Sequence, residues 1–314
     1  MTLQIHEIKE RSEIRDFILF PSRLHQHNPN WVPPLYREEQ RLLNPKKNFA
    51  FHYCDAAFFV ARNDREVLGR IAGIVNHRHN AVSGGKVARF GFLECTDDET
   101  VLHSMLDRVE SWASSRGMER MVGPMGFTDQ DPEGLLIEGH DEEPSIGSYM
   151  NLPYLPQLVE RCGYTKEVDY VVYSVPIPDR NPAIYEAVHR RVTRTNKYEV
   201  IEFQNRRALK PYIKPIFRLV NETFSDLYGF VPLEDAEINH LSRTYLPVID
   251  PRFLKVVTAD KEVIGFILGM PNMNCGFRAA RGRLLPLGFV KILRSARHAR
   301  RLDLLLGAIK GEHR

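Results

Sequence analysis

The stretch GPMGFTDQDPEGLLIEGHD, residues 123–141, sets Asp129, Asp131, Glu133, Glu138 and His140 among turn-forming glycines and prolines. A carboxylate or imidazole held in such a loop can take a proton from a reacting group. Glu133 and Asp131 are therefore the first candidates for a general base, with His140 behind them. A calcium loop would need a bidentate Glu at its twelfth position. Counted from Asp129 that position is His140, and Pro132 interrupts the turn, so no metal is expected there. The competing account is structural: Asp129 and Asp131 close Asx-turns while Gly126, Gly134 and Gly139 adopt positive φ. His77 and His79, two apart at the end of an apolar run, share a face if that run is a strand. Without a third ligand they are expected to be a solvated strand end rather than a zinc site.

The elements that must position these residues follow from periodicity. Leu3–Lys9 alternates as a half-buried strand, and Ser12 is expected to cap a helix presenting Ile14, Phe17 and Ile18 on one face. After the WVPPL break comes a short second helix. AFFVARNDREVLGRIAGIVN reads as a hairpin turning at Asn63-Asp64, and VARFGFLE as a fourth strand. Thr96-Asp97-Asp98-Glu99 has the form of a capping box opening the amphipathic helix VLHSMLDRVESWASSRGM. RMVGPMG is a fifth strand and leads into the acidic loop. LPQLVERCGY is a helix closed by Gly163, EVDYVVYSVPI a sixth strand, and Pro176, Pro178 and Pro182 mark a linker.

The second half starts over with a strand (EVIEFQ), two helices and a hairpin (RFLKVVTADKEVIGFILGM). Asp64-Arg-Glu-Val-Leu-Gly69 matches Asp260-Lys-Glu-Val-Ile-Gly265, and Val32-Pro-Pro-Leu35 is echoed by Val231-Pro-Leu233 at nearly the same offset. Two matches in the same element order favour an internal duplication over two ordinary hairpins that share a turn type. A chain of 314 residues accommodates two domains, each large enough for its own core. The net charge of +3 calls for neither nucleic acid nor anionic lipid. Four separated cysteines without CxxC spacing read as free thiols. No signal peptide and no apolar run of membrane length are seen, so a soluble, cytoplasmic protein without a transmembrane segment is expected.

The element order, together with Glu66-Val-Leu-Gly-Arg-Ile-Ala-Gly73 and Gln157-Leu-Val-Glu-Arg-Cys-Gly-Tyr164, resembles the GNAT superfamily of acyl-CoA N-acyltransferases. WVPPL, NPKKN, GPMGFTDQDPEG and Tyr149-Met-Asn-Leu-Pro153 make the chain similar to a bacterial group of tandem GNAT-like proteins. The resemblance implies an α/β (α+β) protein of two GNAT-like mixed-sheet domains, 1–178 and 179–314. It implies attack of a small-molecule or peptide amine on acetyl-CoA or another acyl-CoA, with no covalent enzyme intermediate. It also implies a strand offering N–H to the thioester carbonyl, a helix N-terminus for the pyrophosphate, and a base. A tyrosine protonates the thiolate in many relatives; Tyr149, Tyr154 and Tyr228 are the candidates, and a buried ring with a bonded hydroxyl is the alternative for each.

Against that pattern, the acids Asp97, Asp98 and Glu99 at the helix after the fourth strand would repel a pyrophosphate, so the first domain is expected not to bind CoA. In the second, LDLLLGAI is the fourth strand, and Ile309, Lys310, Gly311 and Arg314 stand at the start of the CoA loop. The expectation is a chain cut short there, inactive in this 314-residue form, with an exposed strand edge open to oligomerisation. The acidic loop would line an acceptor cleft between the halves. The alternative is a non-catalytic GNAT-like scaffold that holds a partner. Residues 278–301 add eight Lys/Arg and no acid. Contact with CoA phosphates, an interfacial helix on anionic lipid, a nucleic-acid contact and an ordinary charged helix face all stay open for them; no nucleic-acid partner is expected overall.

Overall fold

The structure, a computed structural model, describes residues 2–194 and 197–314. Its chain divides into two compact units: residues 1–170 with 273–299, and residues 171–272 with 300–314. A stretch that lies late in the sequence thus packs with the first unit.

In the first unit the chain runs β1 (Gln4–Glu7), α1 (Arg11–Leu24), α2 (Tyr36–Leu42), β2 (Cys54–Arg62), β3 (Val67–Asn76), α3 (His77–Ser83) and β4 (Val87–Cys95). It continues through α4 (Glu99–Ser114), β5 (Arg120–Val122) and α5 (Leu155–Arg161). The sheet has the order β1-β2-β3-β4-β5, antiparallel except for the parallel β4–β5 pair. Both faces of the sheet are covered. Phe90, Leu93, Leu102, Met105 and Leu106 form a layer under α4 and α5, and Phe17, Phe20, Phe58 and Ile74 form another under α1 and α2. Burying each such side chain is worth ~1.5–3 kcal/mol. Near its middle β4 leaves regular register: Arg70 faces Glu94 but Ala72 faces Gly91, and Phe92 takes φ 52°. A bulge of this kind re-aims the side chains beyond it. Gly91 is required beside it, because a Cβ there would lie 2.3 Å from the Met125 carbonyl oxygen.

The second unit carries α6 (Ala183–Arg194), β6 (Tyr198–Glu202), α7 (Arg206–Thr223), α8 (Asp235–Tyr245), β7 (Leu254–Ala259), β8 (Glu262–Pro271) and β9 (Leu302–Ile309). Between β8 and β9 the chain makes α9 (Asn274–Ala280) and α10 (Gly288–Arg297), which belong to the first unit. The second sheet, β6-β7-β8-β9, repeats β1-β2-β3-β4: strand, two helices, hairpin, helical excursion, strand. Register breaks recur in both, one in each hairpin and one in each third-to-fourth strand pair. The two hairpin turns differ. Asn63 Oδ1 accepts the N–H groups of Arg65 and Glu66, whereas Asp260 and Lys261 both have positive φ. The repetition therefore lies in topology and not in a shared turn type.

Several local expectations are corrected. Residues 167–177 form no strand and are exposed, since no described strand pairs with them. Alternating apolar residues create the capacity for a strand, but a strand also needs a neighbour. Helix α1 begins at Arg11 and not after Ser12; the Glu13 carboxylate accepts the N–H groups of Lys9 and Glu10. His77 and His79 open α3, capped by Asn76, in place of a strand end. Gly126 has no positive φ and is needed for space, since a Cβ would meet the Asp131 side chain at 2.2 Å. The cap of α4 is Asp98, two residues beyond Thr96, and its Oδ1 accepts from Thr100 and Val101. Asp98→Ala should cost about 1 kcal/mol, read as a lower urea midpoint at unchanged slope.

Candidate functional site

Two clusters of ionisable residues occupy the first unit. One is the acidic loop. Arg89, fully buried on β4, donates to the carbonyls of Gly126 and Phe127 and pins the loop's start. The Asp131 carboxylate accepts the backbone N–H of Thr128, reaching backwards along the chain. Burial pushes its carboxyl up, against the pull of the Thr128 and Phe127 N–H groups and of Arg89. Burial also raises Glu133, to about 7; the Tyr170 hydroxyl, which donates to Oε2, and Arg89 hold it back. Its Oε1 is buried without a partner. Glu133 is thus proton-poised at neutral pH, as a base must be.

That shift carries a stability consequence. Between pH ~4.5 and ~7 the native Glu133 keeps its proton while the unfolded one loses it, so stability is fully present below that window and falls as pH rises through it. The loss is on the order of 3 kcal/mol at most. Urea midpoints measured across this range should decline with pH for wild type and decline less for Glu133→Gln; parallel curves would refute the shift.

The second cluster, His25, Glu94, Arg70 and Glu39, lies on the α1–α2 face of the sheet, and none of the four is among the candidates from the sequence. Glu94 of β4 and Arg70 of β3 face one another in register. His25, the residue that ends α1, places Nε2 3.1 Å from Glu94 Oε2. His25 is 1% exposed and Glu94 3%, and the Trp31 ring stacks on the imidazole at 5.2 Å. Arg70 donates to Glu39 Oε2 of α2 at 2.9 Å and to the Phe17 carbonyl. Two atoms of this row are buried with no partner, His25 Nδ1 and Arg70 Nε. Tyr149 donates its hydroxyl to the Leu93 carbonyl, and its pKa is raised by burial and then by the charge of Glu94. Each acid or base interrupting an apolar strand, Arg70 in VLGRIAGIV and Glu94 in FGFLEC, was a visible signal, because an unpaired buried charge is costly.

The candidates from the sequence therefore separate. Asp131 and Glu133 share the loop cluster with Arg89, while Tyr149 belongs beside Glu94. His140 has a buried, unpartnered Nε2, and its carbonyl accepts Asn30 Nδ2 from the segment that carries Trp31. Tyr154 donates to the Cys95 carbonyl at 2.7 Å. Tyr228 is exposed, in the second unit. Ile309 ends β9, Lys310 pairs with Glu262, and Gly311 begins a short 3-10 turn. Arg314 donates to the Ile309 carbonyl. At α4 the cap is filled by Asp98, so two of the N–H groups a pyrophosphate would use are taken. Among the described residues no group of three His, Cys, Asp or Glu could hold a metal ion, and no helix is long and apolar enough to cross a membrane.

The two sheets, the first mixed and the second antiparallel, repeat one strand order and its irregularities, the arrangement that the resemblance to tandem GNAT-like proteins implies. No family model matches the chain. It is similar to a bacterial ceramide synthase of Caulobacter vibrioides (strain NA1000 / CB15N), 29% identical over 293 residues, covering 93% of this chain and 76% of that protein. It is also similar to Protein YghO of Escherichia coli (strain K12), 26% identical over 283 residues, covering 90% of this chain and 72% of that one. A solved tandem GNAT protein from the clavulanic acid biosynthesis pathway is 12% identical, covering 85% of this chain and 74% of that one at a TM-score of 0.44. An aminoglycoside acetyltransferase from an uncultured soil metagenomic sample, in complex with sisomicin, is 14% identical, covering 56% and 97% at a TM-score of 0.36.

Proposed function

We propose that the chain is an acyl-CoA N-acyltransferase whose acceptor is an amphiphilic amine. The observation that carries the reading is the buried row His25–Glu94–Arg70–Glu39 with its unpartnered His25 Nδ1. With Glu94 ionised, its oxygen can only accept, so Nε2 of His25 carries the hydrogen and Nδ1 presents a lone pair. A carboxylate behind an imidazole fixes the tautomer and stabilises the imidazolium that forms when a proton arrives. With His25 neutral the row holds two carboxylates against one guanidinium, an excess of negative charge that favours an incoming ammonium.

In the transfer, the amine nitrogen attacks the thioester carbonyl, the N–C bond forms and the C–S bond breaks. His25 takes the proton released by nitrogen, and the thiol leaves with a proton in return. Tyr149 and Tyr154, bonded to β4 carbonyls, hold that strand's backbone in place rather than acting as the acid. As a separate reading confined to the second unit, Lys310 and Arg314 are proposed as cations able to hold a phosphate group, with Ile309 and Gly311 as their backbone frame. Ceramide, in the name of one relative, denotes an amide of a fatty acid and a long-chain amino alcohol. Such an amine is the acceptor to test first.

The experiment is thiol release from acetyl-CoA and from long-chain acyl-CoA, with a long-chain amino alcohol or a small polar amine as acceptor. Amine-dependent release that favours the amino alcohol is expected. No amine-dependent release, combined with no heat of CoA binding by titration, would leave the protein a scaffold.

A further inference from the structure

Residues 273–299 pack with the first unit and form a helical hairpin on its surface. Helix α9 is tied down: Asn274 Nδ2 donates to the Pro144 carbonyl, and Arg278 pairs with Glu143 at 2.6 Å. The turn beyond it is pressed onto α2, with the Tyr36 N–H donating to the Gly282 carbonyl at 3.0 Å. Helix α10 is held against α9 through buried Ile292 and Gly288; a Cβ on Gly276 would meet the Ile292 backbone at 2.6 Å.

The outer side of this hairpin is not built like an ordinary charged helix face. Leu285, Leu287, Phe289, Val290 and Leu293 are all exposed, between 46% and 63%. At 100° per residue, Phe289, Leu293 and Val290 span about 0–100° of α10, Arg297 sits within that span at about 80°, and Arg294 and Lys291 follow at about 140° and 200°. The sequence carries no Asp or Glu between Glu262 and Asp303. Among the described residues Arg281, Arg283, Arg294 and Arg297 have no carboxylate partner. An open cleft of about 940 Å³ borders the same turn, and Leu285, Leu287, Arg281, Arg283, Lys291 and Tyr36 of α2 are among the residues that line it.

A patch of large apolar side chains on a monomer surface marks something that covers it. Its flanking cations and the lack of acids specify a negatively charged cover. The combination of an apolar sector and an adjoining basic sector on a surface helix is what an interfacial helix presents to a bilayer, apolar side down and cations at headgroup level. A nucleic-acid contact would use the cations but leave Phe289 and Leu293 without a role. We propose that the α9–α10 hairpin docks this protein on an anionic phospholipid surface, with Leu285, Leu287, Phe289, Val290 and Leu293 entering the headgroup–acyl boundary. The proposal stands apart from the acylation reading, because binding is measured without turnover.

The test is co-sedimentation with vesicles of phosphatidylcholine alone and of phosphatidylcholine with phosphatidylglycerol. Binding to the mixed vesicles alone is expected. Each of Arg281→Gln, Arg294→Gln and Arg297→Gln should lower the partition coefficient about five-fold, and Phe289→Ser/Leu293→Ser should lower it about ten-fold or more. Should the double variant unfold, Phe289→Trp supplies a second measurement: its fluorescence is expected to be quenched by lipid brominated near the headgroup. No sedimentation with anionic vesicles overturns the proposal. So does binding that the apolar substitutions leave unchanged, or a Phe289→Trp signal insensitive to brominated lipid, since either is simple charge adsorption. Duplex DNA binding of the same strength, lost with the same arginines alone, also overturns it.

Discussion

His25→Gln is expected to lower kcat/KM for amine acylation by ~10²–10⁴ while leaving the melting temperature near that of wild type. Glutamine is the replacement of choice because its Nε2 amide can donate toward Glu94, whose Oε2 lies 3.1 Å from the His25 ring nitrogen. The buried carboxylate keeps a donor, and only the lone pair at Nδ1 is lost. His25→Ala confounds the two effects, because it also strips Glu94 of its partner and empties the space beneath Trp31. Glu94→Gln should lose activity as well, since the imidazole loses the carboxylate behind it. If His25→Gln retains wild-type turnover, the base lies elsewhere. Glu133, with its raised carboxyl, is then the next residue to replace; Glu133→Gln with unchanged rates would dismiss it in turn.

What the sequence disclosed was local. The hairpins at 64–69 and 260–265, the helix ended by Gly163 and the β4 strand are each written within a few residues, and the structure forms them there. The sequence pattern puts the cap of α4 at Thr96, two residues before Asp98, since a run of Thr and three acids offers several capping residues and only geometry selects one. The alternation in residues 167–177 predicts a strand because alternation is local, whereas a pairing partner is not. The buried row was illegible for the same reason: His25 and Glu94 are 69 residues apart, and Arg70 and Glu39 31 apart. No short window holds either pair, although each charged residue within an apolar strand announces that a partner must exist. Likewise the basic segment 278–301 was legible in composition, but its attachment to the first unit depended on Glu143, Pro144 and Tyr36, far upstream.

Arg70→Met should be the most destabilising single change in the cluster, at ~3–5 kcal/mol, because it leaves Glu39 charged, buried and unpaired. For a unit of this size that corresponds to a drop of about 6–20 °C in melting temperature. More than one contact is lost. The Arg70 guanidinium donates to Glu39 and to the Phe17 carbonyl, and it lies 5.1 Å from the Phe17 ring centroid and 5.8 Å from that of Phe92. Glu39→Leu alone should cost less, since Arg70 retains the Phe17 carbonyl and both rings. The pair Arg70→Met/Glu39→Leu should recover most of the loss, as apolar replacement of a buried ion pair often does. A double-mutant cycle in urea measures the coupling. A single Arg70→Met variant melting within about 2 °C of wild type would mean that the Arg70–Glu39 pair is solvated. If stability returns in the double variant while activity does not, the row is needed for catalysis beyond its part in folding. Arg70 faces Glu94 in register, so removing it changes the field at the carboxylate behind His25 even where the fold survives.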